Sequence, residues 1–188
     1  MNNVTGQPRI NERHGYPQVS GDHWIPALRD GRHVLVRPLV AEDRQREYAF
    51  IKHLSPESRH MRFLAQVKEP DAMLMDKLMD TDGKQRVAFI ALAHENGELI
   101  EVGISRYAAV DLAECECAVT VADEWANNGL GTFLMERLID AARHNGFQTL
   151  YSVDASNNTP MRNLAAALGF ERHLDPDDLR QVIYRLKL

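Results

Sequence analysis

The 188-residue chain has the length of one ordinary domain with a real hydrophobic core. Its 44% hydrophobic and 26% charged content is that of a globular protein, not a disordered or fibrous one. A formal net charge of −5 excludes the basic footprint of a general nucleic-acid binder and suits a cationic partner such as an amine. No apolar run approaches the roughly eighteen residues of a membrane span, and Met1 to Gly6 lack the apolar core of a secretory signal. Cys115 and Cys117 make no disulfide framework, and on a strand they would point poorly for a bridge. The expectation is a reduced, cytoplasmic protein that meets neither membrane nor nucleic acid.

Residues 1–30 are polar, punctuated by Gly and Pro and without sustained period. They are expected to form an extended or disordered arm, leaving 31–188 as the folded domain. His33 to Leu39 reads as a first strand stopped by Pro38. A helix follows over 42–53, with Tyr48, Ile51 and Leu54 on one stripe. Ser55-Pro56 joins an N-cap to a proline at the first helical position, which starts a second helix. Met73, Leu74 and Leu78 after Pro70 suggest a third. Two β-rich runs, Val87 to His94 and Leu99 to Val110, meet at Asn96-Gly97, a strong hairpin signal. Cys115 to Val121 is a further strand. From Leu130 the period is helical, with Phe133, Leu134, Leu138 and Ile139 on the same face and Gly146 as the stop. A strand at Gln148 to Val153, a short helix at Pro160 to Leu168 and a strand at Val182 to Leu188 complete the chain. The pattern predicts one mixed α/β domain of the α+β type, with antiparallel strands first and a β-α-β unit later.

The most informative stretch is the strand, polar turn, glycine pair and long helix between Val119 and Arg143. A first helical turn leaves N–H groups without intrahelical partners, and the helix dipole adds about half a positive charge there. Glycines let backbone approach a diphosphate without a Cβ clash. The Walker lysine is missing, and Asn127 stands where a dinucleotide fingerprint needs another glycine. On the glycines alone, a plain strand-to-helix connection explains the turn as well as a phosphate site does.

The wider pattern resembles the GNAT superfamily of acyl-CoA-dependent N-acyltransferases, whose motif A reads Arg/Gln-x-x-Gly-x-Gly/Ala at the start of a long helix. Asn127 to Arg143, with Gly146-Phe147 after it, follows that motif. Asn158-Thr159-Pro160-Met161, ending in Leu168-Gly169-Phe170, resembles the family's second segment at family spacing, and the likeness covers about residues 33 to 188. The resemblance implies a mixed, mostly antiparallel central sheet flanked by helices and splayed at its fourth and fifth strands. It implies acetyl-CoA as cosubstrate and no metal. Val119 and Val121 would offer backbone to the pantetheine arm. Ala126, Asn127, Asn128, Gly129, Leu130, Gly131 and Thr132 would form the pyrophosphate turn, and Asn158 and Met161 would border the arm. The chain departs from the motif where Ala126 and Asn128 replace usually basic or polar positions, beside Asp123 and Glu124. The grip should therefore rest on backbone amides, with Arg137 or Arg162 as possible helpers.

Aminolysis of a thioester needs a neutral amine, whereas a lysine amine has a reference pKa of about 10.4. A carboxylate must therefore take a proton, and Glu116 is the candidate, facing opposite to Cys115 and Cys117 by strand alternation. Acid residues at this place serve as general base in similar acetyltransferases. A solvated strand face is the plain alternative, and Glu101 and Asp111 are weaker substitutes. The tyrosine that many family members place four residues before the Gly-Phe pair is Ala165 here. Water, Tyr107 or Tyr151 would then protonate the leaving thiolate. The cysteines are expected as small buried apolar residues, not metal ligands or nucleophiles, and Trp125 as a packing lid. Leu54 to Phe63 resembles the matching region of bacterial GNAT domains that acetylate protein lysines, notably on acyl-CoA synthetases, which could turn Arg59, His60 and Arg62 toward acceptor or cofactor. An attached nucleotide-sensing domain is not expected. The favoured activity is direct acetyl transfer to a protein lysine in a ternary complex. A small cationic amine acceptor and a non-catalytic coenzyme A sensor are the alternatives, and oligomeric state is left open.

Overall fold

A computed structural model describes residues 18–19, 23–65 and 67–188. Among the described residues nine strands form one sheet: β1 (Gln18–Val19), β2 (His23–Trp24), β3 (Leu35–Pro38), β4 (Arg86–Glu95), β5 (Glu98–Ala109), β6 (Glu114–Val121), β7 (Thr149–Ala155), β8 (Glu171–Leu174) and β9 (Gln181–Lys187). Their spatial order is β1-β2-β3-β4-β5-β6-β7-β9-β8, and only the β6–β7 pair is parallel. The β4–β5 hairpin turns where expected, with Asn96 at φ 50° and Gly97 at φ 90° supplying the two left-handed residues of a tight hairpin.

Helices α1 (Arg44–His53), α2 (Pro56–Phe63) and α3 (Ala72–Met79) cover one face, while α4 (Leu130–His144) and α5 (Thr159–Ala167) cover the other. Phe50, Ile51, Leu54, Met75 and Leu78 pack on Ile90 and Ile104 under the first group. Leu134, Leu138, Met161 and Ala165 pack with Ala91, Leu150 and Tyr184 under the second. The third helix forms where expected, with Met75 and Leu78 buried and Met73 81% exposed. Asp71 caps α3 by accepting from the Leu74 N–H.

Within the segment expected to be an arm, β1 and β2 extend the sheet edge and Leu28 enters the core. Residues 1–17 and 20–22 of that segment lie outside the described residues. Strand β8 carries no recognisable pattern because all four of its residues are exposed. Among the described residues, no helix is long and apolar enough to cross a membrane.

Candidate active site

The parallel β6–β7 ladder has three rungs, Glu114 with Thr149, Cys115 with Leu150 and Glu116 with Tyr151. Beyond Glu116 no rung joins the strands, while β7 stays paired with β9 to Ala155 and β6 with β5 to Val121. A wedge therefore opens along Cys117 to Val121, and that edge of β6 has backbone groups free of the ladder. Extended backbone of this kind suits a ligand bearing amides of its own.

At the wide end of the wedge, a 3-10 turn (Asp123–Trp125) leads through extended Ala126 and left-handed Asn127, at φ 61°, to Gly129. Gly129 starts α4 at φ 91°, a conformation that any side chain would strain, and no side chain caps the helix. The uncapped first amides of a fifteen-residue helix thus face the wedge mouth, an arrangement that fits a diphosphate. Leu130 is fully buried, so it offers backbone only. Across the wedge, Asn158 Oδ1 accepts from the Met161 N–H at 3.1 Å and caps α5. Its Nδ2 donates to Asp154 at 3.3 Å, so the Asn158 side chain is committed at both ends. Met161 is buried in the core. Gly131 lies between β6 and α5, where a Cβ would make ordinary contact with Leu164 at 3.6 Å and Val121 at 3.7 Å.

The basic side chains absent from the turn itself arrive from the segment before β3. Arg29 donates its N–H to the Asn128 carbonyl at 3.1 Å, and its Nε lies 3.8 Å from where a Gly129 Cβ would be. Arg32 stacks on Trp125 at 3.7 Å and donates to the Glu124 carbonyl at 3.1 Å. Arg137 is buried beside Trp24 and Phe133 and pairs with Asp140, where packing holds it. Arg162 sits on the first turn of α5 near Thr159. No spacing signal in the sequence marks Arg29, because its proximity depends on a contact between distant segments.

Glu116 occupies the last rung and is exposed on the face opposite to buried Cys115 and Cys117. Tyr151, its rung partner, shares that face. Burial raises the Tyr151 pKa, and the nearby charges of Glu116 and Glu114 add to this. Glu114 itself is held by Arg185 at 2.9 Å. Tyr107 is occupied elsewhere, donating to the Lys84 carbonyl at 2.9 Å. Arg62 of α2 lies among these groups. Desolvation and then the like charge of Arg106 bring its pKa down to about 10, against the pull of Glu47, Asp154 and Glu116. Arg59 instead pins the Lys68 carbonyl at 2.6 Å, and His60 is exposed. Asp154 is raised by burial, opposed by hydrogen bonds with Ser152 and Asn158. Asp111 accepts from Ala113 and Glu114 N–H groups in a turn, and Glu101 is buried near Glu47.

Burial pushes the Cys115 thiol up to about 12 and raises Cys117 as well, the reverse of an activated nucleophile. Both are free thiols. No cluster of three His, Cys, Asp or Glu side chains among the described residues is arranged to hold a metal ion.

The site thus sits where a parallel pair parts beside a glycine-started helix on an otherwise antiparallel sheet. The chain belongs to the GNAT acetyltransferase family, whose model matches residues 39–170. It is an N-acetyltransferase of the class that uses acetyl-CoA as cosubstrate. It is 54% identical, over the full length of both chains, to Acetyltransferase PA5475 of Pseudomonas aeruginosa. It is 26% identical to Acetyltransferase Pat of Mycolicibacterium smegmatis over 76% of this chain, spanning 42% of that protein. The GNAT domain of S. lividans PAT superposes with a TM-score of 0.79 at 24% identity, covering 88% of this chain and 97% of that one. A cAMP-binding acyltransferase from Mycobacterium smegmatis shares the fold at TM-score 0.61 and 22% identity, over 88% of this chain and 46% of that one.

Proposed function

We propose that the protein transfers an acetyl group from acetyl-CoA to a protein lysine by direct attack in a ternary complex, with Glu116 as general base. The observation that carries this reading is the position of Glu116 on the last rung before the β6–β7 wedge. Backbone of Val119 and Val121 lies along the wedge to receive the pantetheine arm, and Ala126 to Thr132 present the uncapped helix start to the pyrophosphate. Arg29 adds the charge that the turn lacks. Glu116 takes the proton that the amine loses as it attacks the thioester carbonyl, and Tyr151 returns a proton to sulfur as the C–S bond breaks.

The protein-lysine acceptor is supported by the likeness of 54–63 to bacterial protein lysine acetyltransferases and by the similarity to Pat. The free buried thiols suit a reducing, cytoplasmic setting. We take residues 23–188 as the catalytic domain, wider than the expected 31–188 because β2, Leu28 and Arg29 belong to the sheet, the core and the turn. A non-catalytic coenzyme A sensor is the second reading, favoured by Ala165, which is buried where relatives carry a catalytic tyrosine. Glu116→Gln separates the two. Turnover should fall at least about tenfold while acetyl-CoA affinity stays unchanged. Wild-type protein that acetylates neither an acyl-CoA synthetase nor a panel of polyamines and amino acids would leave only the sensor.

A further inference from the structure

On the face of the sheet that carries Glu116, α2 packs against both β6 and β7. Its start is tied to the turn before α4 through Ser55, Ser58 and Asp123, and its last turn carries Arg62. Charges on both sides of the wedge act on that guanidinium. Glu116 stands on the α2 face, and Asp154 stands beyond the gap on the α5 face. Arg62 therefore lies over the opening where β6 and β7 part.

Among the described residues Arg62 forms no hydrogen bond and no ion pair; its guanidinium lies over the Phe63 ring at 4.9 Å. The carboxylates around it are engaged. Glu47 accepts from Arg106 at 2.6 Å, Asp154 accepts from Ser152 and Asn158, and Glu116 is left for the acceptor amine. A desolvated cation without a counter-charge is costly, and such groups are normally paired. Arg62 is half-buried, yet its nitrogens are not sealed in as Arg106 Nε and Arg137 Nε are, so an incoming group can reach it. That group must bring negative charge to the amine's side of the wedge. In the proposed pose acetyl-CoA keeps its phosphates at the α4 end and its thioester is neutral, so the anion belongs to the acceptor. A planar guanidinium suits a carboxylate, which it can hold by two parallel bonds.

We infer that Arg62 is an acceptor-binding residue that takes a carboxylate beside the target amine, so that the favoured acceptor is a lysine with an acidic neighbour. This rests on the lysine-acceptor reading of the same wedge. The same positive charge repels a polycationic amine.

The test uses two peptides blocked at both ends, Gly-Ser-Asp-Lys-Asp-Ser-Gly and the same peptide with both Asp replaced by Asn. Transfer by the full chain is followed at saturating acetyl-CoA, and binding by calorimetry with CoA in its place. For the wild type the Asp peptide should have a KM about tenfold lower, the size of one charge-assisted pair. Arg62→Gln should abolish that preference, and Arg62→Lys should restore part of it. Arg143→Gln, at the far end of α4, should keep it; a loss there would mark diffuse attraction and overturn the proposal. Equal KM for the two peptides in the wild type also overturns it, while acetyl transfer to lysine still stands. So does an Arg62→Gln variant that loses kcat equally on both peptides with the preference intact, which would place Arg62 at the tetrahedral oxygen instead. Asp-dependent binding without transfer would keep the carboxylate site and sink the lysine-acceptor reading. Neither binding nor transfer sinks both.

Discussion

Tyr151 carries the proton economy of the proposed site together with Glu116, because one rung of a parallel ladder sets them side by side. A thiolate is an adequate leaving group, so loss of its proton donor should cost less than loss of the base. Tyr151→Phe is expected to lower kcat about tenfold with the acetyl-CoA KM nearly unchanged, at the low end of general-acid effects. The pH profile distinguishes this from a packing defect. In the proposed mechanism the tyrosine acts protonated, and its pKa is raised above the ordinary 10.0, so the wild-type rate should persist past pH 10 before declining. The phenylalanine variant should lack that limb; a wild-type limb retained in it would remove Tyr151 from the chemistry. The cysteines show the opposite environment. Their thiols are buried and raised, which disfavours an acetyl-enzyme intermediate.

At the scale of elements, the turn before α4 is held from both sides. Asp123 accepts from the Ser55 N–H at 3.1 Å and bonds the Ser58 hydroxyl, tying the start of α2 to the turn. Ser55 meanwhile caps α2 by accepting from the Ser58 N–H at 3.1 Å. From the other side, Arg29 and Arg32 bring the segment before β3 against Asn128 and Glu124. If the turn holds the pyrophosphate as proposed, a guanidinium beside it adds charge-assisted contacts that neutral amides lack. Arg29→Ala should therefore raise the acetyl-CoA KM by about three- to tenfold with little change in kcat. Steady-state kinetics at two salt concentrations test this, since the wild-type advantage should shrink as salt rises. An unchanged KM would return the grip to backbone amides alone.

Across the molecule, two buried carboxylates affect stability with opposite sign. Asp43 is fully buried; desolvation opposes its ionisation, but bonds from Arg37, the Val40 N–H and Arg46 win and hold its pKa below 3.8. Its contribution is present above that pH and is lost as pH falls through the lowered value. Glu101 is raised well above 4.5 by burial and by Glu47. Its contribution is present below about pH 4.5 and is lost as pH rises through the raised value. Glu101→Gln should accordingly stabilise the protein at pH 8 by about 1 kcal/mol, or roughly 2–4 °C in Tm. The gain should vanish near pH 4. A gain independent of pH would show that packing, and not ionisation, is responsible.

The local signals were strong where one segment suffices. Ser55-Pro56, Asn96-Gly97, Gly129 and Asn158 each determine a cap or turn through their own backbone chemistry, so the elements and the turn before α4 were legible. Glu116 could be assigned a face because alternation along a strand is local. The exposed residues of β8 and the buried face of α3 were not legible, since exposure and helix rotation depend on neighbours. By itself, the sequence determined the family framework and the helix start with its glycines, because these follow from short-range φ/ψ preference and hydrophobic period. Only the tertiary structure decided that Arg29 reaches the turn, that Tyr151 and not Tyr107 stands beside Glu116, and that Glu101 is buried against Glu47. Those three facts depend on contacts between residues far apart in the chain, where periodicity carries no information.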